Sequence, residues 1–260
     1  MTRESVSPQN WPYPRWIAHR GAGKLAPENT IAAFNLGSSY GYRMFECDVK
    51  LSADDTPFLL HDSTLTRTTN QTALWGPTSS ATGGDYPIES LLTLDAGAWH
   101  SEAFVGERLP TLEALAQWCF ARQSLLNIEI KPTPGRGRLT GKVIANAVSR
   151  LWEAQPTPPL LTSFDVEALL SAKQAQPDLP LGLLMDTLPA DWLDVAVDLG
   201  CVAVVCQHKL WNQENVGALK RQGLRALSYT VNTQTDVDRL LKLGTDGIIT
   251  DRVDVFSPAA

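Results

Sequence analysis

The sequence lacks most of what would mark a secreted, membrane-spanning or nucleic-acid-handling protein. Its 260 residues hold only four cysteines, Cys47, Cys119, Cys201 and Cys206, with no C-x-x-C spacing among them. All four sit in apolar stretches, which reads as buried free thiols of a reducing compartment, although an even count leaves disulfides open. No run approaches the roughly 18 consecutive apolar residues of a membrane span. The opening MTRESVSPQNWPYPRW has no apolar segment behind its charges, so it does not read as a secretory leader. These absences predict a soluble, cytoplasmic globular protein. Excess positive charge is missing too: the net charge is −6, with no basic footprint for nucleic acid. An acidic chain that handled an anion would need a local cationic pocket, built from side chains or a metal.

What the sequence does have is a regular alternation of short apolar runs and helical stretches. Residues 1–14 read as an extended lead-in. Trp16–His19 reads as a strand, then a helix capped by Asn29 or Thr30 and ended by Gly41, then a strand over Met44–Lys50. Pro57–Asp62 is a further extended run. From Thr111 onward, helix starts at Thr111 and Asp165 and helix stops at Gly223 and Gly244 punctuate strands near 125–131, 160–164, 181–185, 201–206, 225–231 and 247–250. About eight strand-then-helix units in one domain over 1–260 predict a (β/α)8 TIM barrel. An open doubly wound sheet is the alternative, but the Gly-Ala-Gly at 21–23 lacks the third glycine of a dinucleotide fingerprint. Residues 63–108, rich in Thr, Ser and Gly, fit no barrel element and read as a small inserted subdomain after the second strand region. The tail after Asp251 is too short for a last full helix, and a dimer contact at that edge stays open.

The unusual residues fall at strand ends, where a barrel builds its active face. Glu46 and Asp48 lie two apart on one strand and so share a face; Glu129 and Lys131 repeat the pattern on a later one. Like charges on a buried face are costly unless a cation stands between them. A pure ion-pair network with Lys131 would answer that need, and so would a metal. Three carboxylates with no cysteine on their face of the strands suit a hard divalent ion, Mg²⁺, Ca²⁺ or Mn²⁺. With Arg20 and Lys131 the set would sum to about +1, a pocket for a singly charged anion such as a phosphodiester. His19 and His61, each where an apolar run opens into a loop, would supply an acid and a base near neutral pH. His100 and His208 read as surface or lip residues, and Phe164 and Tyr229 as packing or substrate contacts.

Taken in order, His19-Arg20-Gly21, Pro27-Glu28-Asn29-Thr30, Glu46-Cys47-Asp48-Val49, His61-Asp62, Leu65–Thr69, Leu109–Leu112, Ile128-Glu129-Ile130-Lys131, Ser163-Phe164, Tyr229–Asn232 and Asp246–Asp251 resemble the glycerophosphodiester phosphodiesterase family along nearly the whole chain. The likeness is to the cytoplasmic bacterial branch that works with glycerol-3-phosphate import. The resemblance implies a TIM barrel that hydrolyses small glycerophosphodiesters to sn-glycerol 3-phosphate and an alcohol. It implies Glu46, Asp48 and Glu129 as ligands of one divalent cation, Mg²⁺ foremost, and His19 and His61 as the acid–base pair. Arg20 and Lys131 would hold phosphate, and Phe164 and Tyr229 would face the glycerol. Tyr229 stands where tryptophan is common, a departure that bears on the glycerol contacts. Rival readings are a phospholipase C-like enzyme forming a cyclic phosphate, proton abstraction beside a carbonyl, and a non-catalytic phosphate-binding barrel. The mostly polar 63–108 segment counts against the first.

Overall fold

A computed structural model describes Val6, residues 10–76 and residues 82–258. Part of the expected lead-in, and residues 77–81 of the expected insertion, lie outside the described residues. The chain runs β1 (Trp16–Ala18), α1 (Ile31–Ser39), β2 (Met44–Leu51) and β3 (Pro57–Leu59), then two short helices, α2 (Gln71–Trp75) and α3 (Ile88–Leu91), and α4 (Leu112–Arg122). Strict alternation follows: β4 (Leu125–Ile130), α5 (Gly137–Leu151), β5 (Leu160–Ser163), α6 (Val166–Ala175), β6 (Leu181–Met185), α7 (Trp192–Asp198), β7 (Ala203–Gln207), α8 (Gln213–Arg221), β8 (Arg225–Tyr229), α9 (Gln234–Leu243) and β9 (Gly247–Thr250).

Local chemistry sets the helix starts. Thr30, Thr111, Asp165, Asn212 and Thr233 each cap a helix by accepting from the amide three residues on. Each such cap is typically worth about 1 kcal/mol. Thr30, and not Asn29, caps α1, which leaves the Asn29 side chain for another task.

Parallel pairing runs from β2 through β4, β5, β6, β7, β8 and β9 to β1, and Ala18 of β1 then pairs with Phe45 of β2. This is a closed (β/α)8 barrel, as expected. The Pro57–Asp62 run is not a barrel strand. It returns antiparallel along β2, with Val49 opposite Leu59 and Leu51 opposite Pro57. The short turn between them permits only a hairpin, since a parallel crossover needs about a dozen residues or more.

Alternation along β2 serves two cores. Phe45, Cys47 and Val49 pack outward with Phe34, Trp118 and Cys119, Phe45 meeting Trp118 edge-on at 5.2 Å. Met44 points inward with Ile17, Leu160, Leu184, Val205, Leu227 and Ile249, and Tyr13 joins that cluster. A third cluster draws on the segment expected to be mainly polar: Leu65, Leu91, Leu94 and Ala96, with Leu109 just beyond it, pack on Phe58 and Leu60. All four cysteines are buried and free. No helix among the described residues is long and apolar enough to cross a membrane.

His208 departs from its expected surface position. It is 8 % exposed, with Nδ1 3.3 Å from Asp236 Oδ1, and Arg239 donates to its carbonyl. A histidine with two anchored partners can be buried without catalytic purpose.

Candidate active site

The site grows from the ends of β1, β2 and β4. After β1 the backbone turns sharply, and Arg20 (φ 48°) and Asn29 (φ 59°) both occupy the left-handed region unusual for residues with a side chain. Three contacts hold that strain: the Asn29 amide donates to the Arg20 carbonyl at 3.0 Å, the Arg20 amide donates to Glu46 Oε2 at 2.9 Å, and Asn29 Nδ2 donates to Asp48 Oδ2 at 2.8 Å. Gly23 (φ 59°) completes the turn; a Cβ there would lie 2.2 Å from the Asp251 carbonyl oxygen.

Register places the carboxylates. Asp48 sits opposite Glu129, and Glu46 opposite Asn127, on neighbouring parallel strands. Glu46, Asp48 and Glu129 are all buried, and each offers an oxygen within 4.8 Å of the others. Their electrostatics show the expected cost. Burial, then the Asp48 and Glu129 charges, pushes Glu46 well above the carboxylate range. Burial and Asp48 push Glu129 up to about 7. Burial also opposes ionisation of Asp48, but Arg20 and Lys131 outweigh it and hold that carboxyl below its ordinary value. Arg20 Nε lies 3.3 Å from Asp48, and Lys131 Nζ lies 2.9 Å from Glu129 and 3.6 Å from Asp48.

Asp48 Oδ1 is buried with no hydrogen-bond partner. That oxygen, 3.6 Å from Lys131 Nζ, stands beside two carboxyls driven toward their neutral forms, and a divalent cation among the three would satisfy them together. The donor set is all oxygen, so a hard divalent cation fits it.

Both histidines are oriented by aspartates. His19 Nδ1 lies 2.6 Å from Asp251 Oδ1, and its Nε2 lies 3.8 Å from Glu46 Oε2. Asn232 in turn donates to Asp251 Oδ2 at 2.9 Å and accepts from the Asp251 amide. His61 Nδ1 lies 2.7 Å from Asp62 Oδ1. Arg67 grips Asp62 with Nε and Nη2 and reaches Glu28 with both terminal nitrogens, while Glu28 also accepts from Arg20 at 3.0 Å. The hydrogen bonds from Arg67, ahead of the opposing burial, hold Asp62 far below the carboxylate range. Burial lowers the His61 pKa from its ordinary value, with Asp48 working against it.

An inner cavity of about 190 Å³ is lined by His19, Arg20, Glu46, His61, Glu129, Lys131, Phe164 and Tyr229, with Asp48 buried beside it. All nine sequence-derived site residues thus converge. Phe164 is 44 % exposed and meets Tyr229 edge-on at 5.9 Å, and the Tyr229 hydroxyl donates to the Met185 carbonyl. Asn127 lines the same cavity with its Nδ2 buried and unpartnered. Residue-by-residue reading missed Asn127, Asn29, Glu28, Arg67, Asp62 and Asp251 as site residues. Asn127 shares the inward parity of Glu129 and could have been found from it. The Asp251 contact to His19 spans 232 residues and leaves no local signal.

A model of the glycerophosphoryl diester phosphodiesterase family matches residues 19–255. A glycerophosphodiester phosphodiesterase of Caldanaerobacter subterraneus subsp. tengcongensis is 33% identical over 239 residues, spanning 90% of this chain and 93% of its own. One from Bacillus subtilis is 30% identical over 255 residues, spanning 92% and 84%. Among solved structures, an Oleispira antarctica phosphodiesterase in complex with the product sn-glycerol-3-phosphate is similar at a TM-score of 0.86 and 28% identity, over 98% of this chain and 99% of that one.

Proposed function

We propose a mechanism from one premise: this chain belongs to the glycerophosphoryl diester phosphodiesterase family and is a phosphoric diester hydrolase. Its substrates are small glycerophosphodiesters, cleaved to sn-glycerol 3-phosphate and an alcohol. The observation that carries the mechanism is the gathering of two aspartate-bound histidines and a cluster of three buried carboxylates at one cavity.

Glu46, Asp48 and Glu129 would hold one divalent cation, Mg²⁺ in this reading, with Ca²⁺ and Mn²⁺ suited to the same oxygens. When bound, it supplies Lewis-acid polarisation of a phosphoryl oxygen. Arg20 and Lys131 place positive charge beside the phosphate, Arg20 as a planar fork and Lys131 as a point charge. Phe164 and Tyr229 wall the glycerol half.

Asp251 holds His19 with its proton on Nδ1, so Nε2 accepts. His19 therefore takes the proton from the nucleophile, either water or a glycerol hydroxyl that first closes a cyclic phosphate. His61 borders both the inner cavity and an outer groove of about 740 Å³, and gives its Nε2 proton to the leaving oxygen as the phosphorus–oxygen bond breaks. Burial alone favours neutral His61; the bound phosphodiester anion acts in the other direction and favours the imidazolium. Four buried free thiols support a reducing, cytoplasmic setting.

The test is release of glycerol 3-phosphate from glycerophosphocholine. EDTA abolishes it and Mg²⁺ restores it if this reading holds. Turnover insensitive to EDTA would remove the metal from the mechanism, and no release at all would leave a phosphate-binding barrel.

A further inference from the structure

Inward positions on β2 do not stop at the carboxylates. They climb from Met44 through Glu46 and Asp48 to Lys50, each step about 6.7 Å toward the barrel mouth. Lys50 is 2 % exposed, a burial rare for lysine. Its ammonium makes one hydrogen bond, to the Lys131 carbonyl at a long 3.4 Å, although it carries three donors. It lines the outer groove of about 740 Å³, together with His61, Ser63, Thr64, Lys131 and Phe164.

The carboxylates in that groove are already engaged. Asp62 is held by His61 and Arg67, Glu129 by Lys131, and Asp165 Oδ1 caps α6. A ligand in the groove therefore meets ammonium and hydroxyl donors, beside three carboxylates that each already accept a hydrogen bond. Such a surface offers donors to a ligand's oxygen acceptors, whereas a quaternary ammonium has no acceptor to engage them and meets only the Phe164 ring beside carboxylates that already accept hydrogen bonds.

We propose that the outer groove seats the departing alcohol, and that Lys50 selects leaving groups rich in oxygen acceptors, such as glycerol, over choline. The proposal rests on the reading of the mouth as a glycerophosphodiester site and assigns that site's second half. His61 stands between the two halves, where the leaving oxygen must be.

The experiment measures kcat/KM with Mg²⁺ on glycerophosphoglycerol and glycerophosphocholine. The wild type favours glycerophosphoglycerol. Lys50→Met lowers the ratio of the two constants by about tenfold, the effect of one lost charged donor, and Lys50→Arg keeps it within about threefold. A wild-type preference for glycerophosphocholine overturns the proposal whether or not the variants fold. So does a ratio unmoved in Lys50→Met, including a parallel loss on both substrates, which would make Lys50 a support for the phosphate or the fold. Wild-type inactivity on both diesters overturns the hydrolase reading itself, an outcome distinct from these.

Discussion

At the scale of single residues, the proposed division of the proton transfers between the two histidines implies different sensitivities. A p-nitrophenyl ester of glycerol 3-phosphate has a leaving group that needs no proton. His61→Ala should lose about 10²–10⁴ in turnover on glycerophosphocholine yet far less on the nitrophenyl ester, whereas His19→Ala should lose heavily on both. Equal losses for His61→Ala on the two substrates would remove it from the acid role. Asp251 acts through His19: Asp251→Asn leaves the packing in place but unsettles which ring nitrogen carries the proton. Turnover should then fall by about 10²-fold or more, with the Mg²⁺ concentration for half-activation little changed. A shift in metal affinity with normal maximal turnover would instead tie Asp251 to the carboxylate cluster. At this scale the sequence was readable where parity or adjacency governed, as for Glu46, Asp48 and Glu129. It was silent where the partner came from the far end of the chain, as Asp251 does.

At the scale of elements, the loop that carries His19 and Arg20 is clamped between α1 and the segment after β9. Gly37 of α1 lies so close that a Cβ there would sit 2.1 Å from the Gly21 carbonyl oxygen and 2.9 Å from the Phe45 ring. Gly37→Ala should push α1 away, costing about 1–3 kcal/mol in denaturant unfolding and lowering turnover further as Arg20 loses its place beside Asp48. Unchanged stability and turnover would mean that the helix yields without moving the loop. The sequence marked α1 and its cap but not this contact, because close backbone approach has no periodicity. For the same reason Pro57–Asp62 could be read only as a further extended run: residue type shows extension, while the direction of pairing is set by the length of the turn before it.

For the whole molecule, the buried carboxylates link stability to pH and to metal. Glu129 binds its proton up to about pH 7 in the folded chain, against an ordinary value of 4.5. Between those values the folded state holds more protons than the unfolded one, so metal-free stability falls as pH rises through that window, by on the order of 3 kcal/mol. Glu46 shifts in the same direction. A cation must displace those protons, so Mg²⁺ should raise the melting temperature more at pH 8 than at pH 5.5. An equal or larger rise at pH 5.5 would place the ion away from these carboxylates.

The barrel itself was legible as alternation of apolar strands with capped helices. The apolar cluster around Leu65, Leu91 and Leu94 was hidden within a segment dominated by Thr, Ser and Gly. What organises the molecule is β2, whose outward face builds the core and whose inward face carries Glu46, Asp48 and Lys50 to the mouth.

The most direct measurement is the rate of glycerol 3-phosphate release from glycerophosphocholine in Mg²⁺ by the wild type, His19→Ala and His61→Ala, each verified as folded. The account predicts release by the wild type and a fall of about 10²–10⁴ in each variant. Near-normal turnover by either folded variant would contradict it.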